Sequence, residues 1–190
     1  LEACPKQNDL RLTLLRPADE EDTPDVRNVD LPGVTDDSGA QVIAVTDTTT
    51  AVYVPTPKPT VNVIDETGTT VASTLLPKPA APQSIATKTG DLVTWWTGDS
   101  VLVFDASGLR YKYTVAPAGP HLPVGPGTVM AGRLLVPVND GYDVFDPATG
   151  KGERHIPLSR PPSVSPVVPT PAGSTLLEQR GTELVALGSA

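Results

Sequence analysis

The pattern of apolar and polar residues consists of short apolar runs, each followed by an aspartate and a glycine turn. The clearest example is residues 101–115, VLVFDASGLRYKYTV, in which the apolar run VLVF precedes Asp105 and Gly108. Similar apolar runs precede Asp65 and Asp146, so that the three aspartates, counting Asp105, follow each other in steps of 40 and 41 residues. Short apolar runs bounded by turn residues are typical of β-strands. The pattern therefore predicts a strand-rich unit that recurs along the chain.

A second set of turn residues keeps the same spacing one turn earlier in the unit. Gly90, Gly132 and Gly173 stand 42 and 41 residues apart, each between two short apolar runs. Each unit is expected to contain four strands joined by tight turns, and a period of this length is the signature of a β-propeller blade. No segment shows helical periodicity with capping residues. We predict an all-β fold, a β-propeller of four-stranded antiparallel blades with about four repeats visible.

The aspartates that end the apolar runs are predicted to be structural rather than catalytic. A carboxylate at this position accepts hydrogen bonds from backbone N–H groups one or two residues further on. The glycine that follows is then expected to adopt positive φ, which glycine does at little cost. The three glycines in question are Gly68, Gly108 and Gly150.

The repeat divides the chain into an N-terminal segment, residues 1–39, and a propeller part, residues 40–190. In the N-terminal segment, residues 10–15 predict the outermost strand of a blade, and residues 16–39 predict a solvated acidic loop rather than a calcium site. The N-terminal strand would close the last blade in a four-bladed ring. We favour the alternative, a piece of a larger ring, because four-bladed rings have little room. Blades are expected at residues 40–76, 83–115, 127–157 and 167–187, the last of them one strand short.

The charge of the chain excludes two classes of partner. The formal net charge is −8, and ten of the 22 acidic residues lie within the first 37 residues. Nucleic-acid phosphates and anionic lipid head groups attract clustered Lys and Arg, and the sequence contains no basic run. We therefore expect neither nucleic acid nor an anionic membrane surface as a partner.

The single cysteine, Cys4, follows Leu1-Glu-Ala, a sequence similar to a bacterial lipobox. Three interpretations stay open: lipidation, a disulfide to a segment outside this chain, and an unmodified thiol. No apolar run approaches the roughly 18 residues that a membrane-spanning helix needs. Membrane association is therefore expected only through a segment outside this chain or through a lipid on Cys4.

Candidate catalytic residues are few. His121 lies in a predicted connector and His155 in a predicted outer strand, and no spacing brings three metal-ligating or nucleophilic groups together. Asp140, Asp143 and Asp146 crowd one hairpin, where structural turn acids are expected rather than a calcium site. We therefore predict no catalytic residue, no metal site and no cofactor.

The aromatic residues are the candidate ligand contacts. Trp95 and Trp96 are adjacent strand residues that point to opposite faces, so one is expected to pack between sheets and the other to face a neighbouring blade or solvent. Tyr53 occupies the matching place in the first blade. Because aromatic rings are frequent platforms for sugars and partner proteins, these three residues are the predicted ligand-binding set.

Residues 144–151, VFDPATGK, resemble the repeat of quinoprotein-like β-propellers, with Val144 in place of an alanine and Arg154 where that family has a tryptophan. This resemblance implies the propeller fold but not the quinone cofactor, because the chain has no adjacent cysteine pair like that of quinoprotein dehydrogenases. In composition the chain is similar to envelope propeller proteins of mycolate-making actinobacteria. Some of those proteins take part in moving trehalose monomycolate to the outer membrane.

The expected function is binding rather than catalysis. The resemblance implies an extracytoplasmic binding or scaffold propeller of the cell envelope, membrane-anchored in the full-length protein. Its implied partner is a glycolipid such as trehalose monomycolate or another envelope protein. The alternative is a propeller enzyme, a hydrolase or a quinone-dependent oxidoreductase, with its site in the central channel.

Overall fold

The computed structural model describes residues 2–3, 10–16, 25–31, 39–115, 121–161 and 166–188, which form strands and turns without a helix. Accordingly, none of these residues belongs to a helix of the length and hydropathy that crosses a membrane. The strands form five sheets in which every pair of neighbours is antiparallel. The prediction of an all-β chain is confirmed.

The strands are joined into sheets in chain order. The N-terminal sheet contains Glu2–Ala3 (β1), Leu10–Arg16 (β2) and Asp25–Leu31 (β3). Three four-stranded sheets follow. The first contains Gln41–Val45 (β4), Thr49–Val54 (β5), Thr60–Asp65 (β6) and Thr70–Leu75 (β7), and the second contains Ile85–Thr89 (β8), Leu92–Trp96 (β9), Val101–Asp105 (β10) and Tyr111–Val115 (β11). The third contains Thr128–Met130 (β12), Arg133–Val138 (β13), Gly141–Phe145 (β14) and Gly152–Pro157 (β15). The last sheet has three strands, Val167–Ala172 (β16), Thr175–Arg180 (β17) and Glu183–Leu187 (β18).

The chain divides into two compact units. Leu1–Pro79 holds the N-terminal sheet and the sheet β4–β7, and Ala80–Ala190 holds the other three sheets. The predicted division between residues 39 and 40, and the predicted blade limits, stay predictions.

Strand β2 is the central strand of the N-terminal sheet, and this corrects its predicted place in a blade. It pairs with β1 on one side and with β3 on the other, in register from Leu10↔Leu31 to Arg16↔Asp25. Because β2 lies between β1 and β3, its assignment as the outermost strand of a blade is wrong. Strand β1 pairs only with Leu10 and Arg11, so the option that β2 closes the last blade stays a prediction. The assignment of residues 16–39 to a loop is wrong for Asp25–Leu31.

The acidic composition of β3 hides its alternating pattern. On the exposed face, Asp30 accepts a hydrogen bond from Arg11 Nε at 2.8 Å, and Asn28 accepts one from the Thr13 hydroxyl at 3.0 Å. Val29, between these two polar residues, packs against the apolar core of the same unit. Asn28 and Asp30 therefore lie on one face of β3, where cross-strand pairs with β2 stabilise them.

Two of the repeat aspartates close their turns in the predicted way. Asp65 Oδ1 accepts hydrogen bonds from the N–H groups of Thr67 at 2.8 Å and Thr69 at 2.9 Å. Asp146 Oδ1 accepts hydrogen bonds from the N–H and the hydroxyl of Thr149, both at 2.8 Å. The side-chain hydroxyls of Thr67 and Thr149 are the main reason that the pKa values of these two carboxyls lie below the usual range. The structural role of both aspartates is confirmed.

The turn of the second repeat departs from the prediction at its glycine. Asp105 accepts a hydrogen bond from the N–H of Gly108 at 2.7 Å, so this aspartate is also structural. Positive φ, however, falls on Leu109 at 55°, whereas Gly68 and Gly150 adopt 88° and 71° in the other two turns. The prediction of positive φ is therefore wrong for Gly108. The Leu109 side chain is 1% exposed, and its burial offsets the cost of about 1–2 kcal/mol that a left-handed conformation imposes on a residue with a Cβ.

A shared apolar core and buried threonines join the sheet β8–β11 to the sheet β12–β15. The Thr94 hydroxyl donates to the Gly127 carbonyl oxygen at 2.7 Å, and Thr89 and Thr128 share a hydrogen bond at 3.1 Å between their hydroxyls. These buried hydroxyls therefore have the partners that burial requires. The buried apolar residues of this core are Leu92, Trp96, Val101, Val103, Val115, Leu134, Val136 and Phe145.

A buried ion cluster joins the sheet β12–β15 to the sheet β16–β18. Arg160 Nη2 donates to Glu178 Oε1 at 2.6 Å, and the two side chains are 1% and 0% exposed. Arg180 Nε donates to Glu178 Oε2 at 2.6 Å, and the Tyr142 hydroxyl donates to Glu178 Oε1. Burial alone would raise the pKa of Glu178, but the hydrogen bonds from Arg160 and Tyr142 hold it below the usual range. Glu178 is therefore an ionised group within the core.

Replacement of Gly150 by alanine is expected to destabilise the second unit more than replacement of Gly173. Both glycines have positive φ, 71° and 63°, so each substitution costs about 1–2 kcal/mol of backbone strain. Only at Gly150 would the new Cβ meet a ring, 2.5 Å from Cδ2 of Tyr113, whereas nothing lies within 4 Å of a Cβ at Gly173. Urea unfolding of Gly150→Ala and Gly173→Ala measures the difference. Equal losses in the two variants would contradict the packing described here.

Removal of the buried charge of Glu178 is expected to lower the free energy of unfolding by about 3–5 kcal/mol, because Arg160 would remain buried without its counter-ion. The variant Glu178→Gln keeps the side-chain shape, and urea unfolding measures the loss. Glu153→Gln is the matched control: its partner Arg133 is 48% exposed, and the expected change is at most about 1 kcal/mol. Similar small losses in both variants would show that the cluster is not a buried ion pair.

Candidate functional site

The fold brings the two histidines of the chain into contact. The sequence contains only His121 and His155, and their rings are stacked with centroids 4.3 Å apart and an angle of 21° between the planes. The side chains are 24% and 26% exposed, so both rings are partly accessible to solvent. Two carboxylates, Asp140 and Asp143, lie beside them. We call these four residues the histidine cluster.

The sheet β12–β15 supplies three members of the histidine cluster. The hairpin between β13 and β14 has a two-residue loop, Asn139 and Asp140, which places Asp140 at the tip. Asp143 follows on β14, and the pairing of β14 with β15 puts His155 directly opposite it. Side chains that are directly opposite on one face of antiparallel strands lie within reach of each other.

The fourth member, His121, lies on the connector before β12, and this connector runs alongside the end of β13. The N–H of Val124 donates to the Pro137 carbonyl oxygen at 2.9 Å, which fixes the connector beside that strand. Trp96 Nε1 donates to the Pro123 carbonyl oxygen at 2.9 Å and ties the same connector to the buried core. The backbone next to His121 is therefore held by both strand and core.

The histidine cluster contains two histidine–carboxylate hydrogen bonds. His121 Nδ1 and Asp140 Oδ1 are 2.8 Å apart, and so are His155 Nδ1 and Asp143 Oδ1. His155 Nε2 faces the first pair, 4.0 Å from Asp140 Oδ1. Asp143 is the least exposed member at 13%, and Asp140 is the most exposed at 54%. Asp140 thus lies beside the edges of both imidazoles, whereas Asp143 contacts only that of His155.

The pair formed by His121 and Asp140 favours the ionised form of both groups. The hydrogen bond to Asp140 raises the pKa of His121 above its ordinary 6.5, and the same bond lowers the pKa of Asp140 below its ordinary 3.8. The stabilisation from the raised histidine pKa is therefore present at low pH and is lost as the pH rises through the pKa of folded His121. The stabilisation from Asp140 is lost as the pH falls through its lowered pKa. Between these two values the pair is an ion pair.

Gly141 and Arg160 fix the hairpin loop that carries Asp140. A Cβ at Gly141 would lie 2.1 Å from the Ile156 carbonyl oxygen and 2.9 Å from Cε1 of His155, so the close approach of β15 requires a glycine here. Arg160 Nη1 donates to the Gly141 carbonyl oxygen at 2.7 Å and also to that of Val138. The two ends of the loop are therefore fastened to the buried ion cluster.

The histidine cluster offers donor atoms for a cation. One ligating atom from each of His121, Asp140 and His155 lies within 4.8 Å of the other two. Imidazole nitrogens and a carboxylate oxygen are ligands of divalent transition metals.

The expectation that no three ligating groups converge is wrong, because His121, Asp140 and His155 do so. Part of this arrangement has a signal in the sequence. Asn139-Asp140-Gly141 is typical of a two-residue hairpin loop, and the register of the next strand then follows from the apolar alternation. The path of the connector that carries His121 depends on tertiary contacts instead, and no local pattern indicates it.

The predicted ligand-binding residues lie elsewhere. Trp95 and Trp96 in the second unit are 0% and 2% exposed, and Tyr53 in the first unit is 2% exposed. All three side chains pack within the interior of their unit, and their assignment as ligand contacts stays a prediction. Cys4 lies outside the described residues.

No protein-family model and no curated protein matches the chain. Among solved structures, it is similar to dihydro-heme d1 dehydrogenase NirN in complex with DHE, with a TM-score of 0.51 and 14% identity. The match covers 82% of this chain and 35% of NirN. At this identity the likeness concerns the fold alone. Together with the four-stranded antiparallel sheets, it confirms the predicted β-propeller fold class.

Two further structures are similar at TM-scores that add nothing to the fold assignment. BamB from Moraxella catarrhalis has a TM-score of 0.46 and 16% identity over 76% of this chain, and glutaminyl cyclase from Myxococcus xanthus has 0.43 and 11% over 78%. The chain spans 43% of BamB and 71% of the cyclase. The resemblance to proteins of mycolate-making actinobacteria has no counterpart in these comparisons.

Substitution of Asp140 by asparagine is expected to lower the pKa of His121 toward 6.5, because the amide cannot stabilise the imidazolium by charge. An NMR titration of the imidazole Cε1–H signals measures this pKa in the wild type and in Asp140→Asn. Glu153→Gln, on the same sheet, should leave it unchanged. A pKa of His121 at or below 6.5 in the wild type would contradict the hydrogen-bonded pair.

Proposed function

We propose that the chain is a non-enzymatic binding or scaffold domain of the cell envelope, which holds a partner protein on an exposed edge strand. The observation that carries this proposal is shared by the repeat sheets: the last strand of each exposes a large apolar side chain. These side chains are Val71 (55%) and Leu75 (63%) on β7, Tyr111 (41%) on β11, Ile156 (38%) on β15 and Leu184 (70%) on β18.

Strand β7 has the longest apolar strip of these edges. Val71, Ser73 and Leu75 alternate along it as exposed residues, with Ala72 and Thr74 less exposed between them. Within the described residues β7 pairs only with β6, so its other backbone edge is open. An open edge with alternating exposed apolar side chains is the arrangement to which an extended segment of another protein adds as a strand.

A protein partner fits such an edge better than a lipid does. The backbone N–H and C=O groups of an open edge are satisfied by the same groups of an added strand, which repeat at the same spacing. The sugar hydroxyls of a glycolipid lack this regular spacing, and its acyl chains offer neither donor nor acceptor. Trehalose monomycolate, which the resemblance implies, is therefore the second candidate and forms a separate arm of the test. The resemblance to envelope propellers is also what supports the extracytoplasmic location.

Photo-crosslinking from position 75 tests the proposal in the cells that produce the full-length protein. A photoreactive amino acid in place of Leu75 is expected to capture one envelope protein, which is then purified and measured by biolayer interferometry. Leu75→Lys should weaken binding at least about tenfold, because a charge replaces an apolar contact at the edge. Leu75→Met, which keeps an apolar side chain of similar size, is the matched control and should bind like the wild type.

Three results would overturn the proposal. Equal affinity of Leu75→Lys and Leu75→Met for the captured protein would exclude docking on β7. Binding to vesicles that contain trehalose monomycolate, but to no captured protein, would favour the glycolipid. Turnover of a substrate by the purified full-length protein would favour the enzyme with its site in the central channel.

A further inference from the structure

We propose that His121, Asp140 and His155 bind one divalent transition-metal ion such as Zn²⁺. The site belongs to the second unit and strand β7 to the first, and the inference does not depend on the proposed partner binding.

The chemistry of the donors selects the class of ion. Two imidazole nitrogens and one carboxylate oxygen form a mixed nitrogen and oxygen set that suits Zn²⁺, Cu²⁺ and Ni²⁺. Ca²⁺ and Mg²⁺ prefer sets made of oxygen alone. Three protein ligands on a tetrahedral ion leave one position for water, and the exposure of Asp140, 54%, leaves room for it.

The distances between the donor atoms bracket those that a bound ion requires. Metal–ligand bonds near 2.0–2.1 Å in tetrahedral geometry place two ligand atoms about 3.3 Å apart. Asp140 Oδ1 lies 2.8 Å from His121 Nδ1 and 4.0 Å from His155 Nε2. The two rings are stacked, with an angle of 21° between their planes, whereas an imidazole binds a metal ion in the plane of its ring. Both partly exposed rings must therefore rotate out of the stack to bind one ion. The ion would replace the proton that His121 and Asp140 share, because a ligating imidazole nitrogen is deprotonated.

Asp143 supplies the orientation that metal-binding histidines need. Its carboxylate lies 2.8 Å from His155 Nδ1, and the Asp143 side chain is 13% exposed. With Nδ1–H donated to this carboxylate, the lone pair of Nε2 faces Asp140. A carboxylate that holds the far nitrogen of a ligating histidine in this way is a regular feature of zinc sites.

The three ligands come from separate segments of the second unit. His121 belongs to the connector before β12, Asp140 to the loop between β13 and β14, and His155 to the edge strand β15. A bound ion would link all three segments. The close approach at Gly141, where a Cβ would lie 3.0 Å from His155 Nε2, keeps the ring of His155 next to this loop.

Isothermal titration calorimetry with zinc chloride tests this site. The protein is purified without a polyhistidine tag and carries Cys4→Ser, so that neither a tag nor a thiol supplies a ligand. We expect binding of one Zn²⁺ per chain, with shifts of both imidazole signals in NMR spectra. His155→Gln should weaken binding at least about tenfold because it removes a ligand, and Asp143→Asn should weaken it about 10–100-fold through loss of orientation. Glu153→Gln, an acidic residue on the same strand outside the cluster, is the matched control and should leave affinity unchanged.

Two outcomes would overturn the proposal. One is the absence of heat and of imidazole shifts in the Cys4→Ser protein at millimolar zinc. The other is zinc binding of equal affinity in His155→Gln or in the double variant His121→Gln/His155→Gln, which would assign the ion to other acidic residues. Titration with calcium and magnesium chloride adds a third check, since tighter binding of either ion than of zinc would contradict the nitrogen ligands.

Discussion

The contacts of Arg160 are the constraint on which the second unit depends. One guanidinium binds the buried carboxylate of Glu178 and the two carbonyl oxygens, of Val138 and Gly141, that flank the β13–β14 loop. Neither of these side chains has access to water, so the guanidinium of Arg160 requires the carboxylate of Glu178, to which Arg180 also binds. The guanidinium also lies 4.7 Å from the centroid of the Tyr142 ring, whose hydroxyl binds the same carboxylate. Charge pairing, backbone hydrogen bonds and ring contact thus meet at one point between two sheets.

The histidine cluster is attached to this buried ion cluster through the β13–β14 loop. The loop fastened by Arg160 carries Asp140, and the strand after it carries Asp143 opposite His155. Trp96 fixes the connector from the other side through Pro123. A partly exposed site is therefore built on backbone that the core holds in place, which is the condition for side chains to keep a productive geometry.

The sequence predicts the repeating strands and turns well, but it does not predict strand β3 or the contact between the two histidines. The reasons differ between these elements. Asp65, Asp105 and Asp146 indicate the hairpins because turn chemistry is local and recurs with the period. Strand β3 is not predicted because Asp25, Asn28 and Asp30 are typical of a loop in composition, although the strand pairs with β2 from Asp25 to Leu31. The contact between His121 and His155 is not predicted because the connector that carries His121 has no periodic pattern of apolar residues. Its course follows from contacts with β13 and Trp96 that are formed only in the folded chain.

The core contacts that hold the β13–β14 loop and the connector also bring His121 and His155 together. The distance between the two imidazole rings therefore tests this packing most directly. A NOESY spectrum of the purified chain at neutral pH measures whether ring protons of His121 and His155 are close in space, and the assignment is simple because the chain has two histidines. Rings stacked at 4.3 Å predict a direct cross-peak between them. Two resolved imidazole spin systems without such a cross-peak, in a chain whose sheet NOEs are intact, would contradict the structure at its central point.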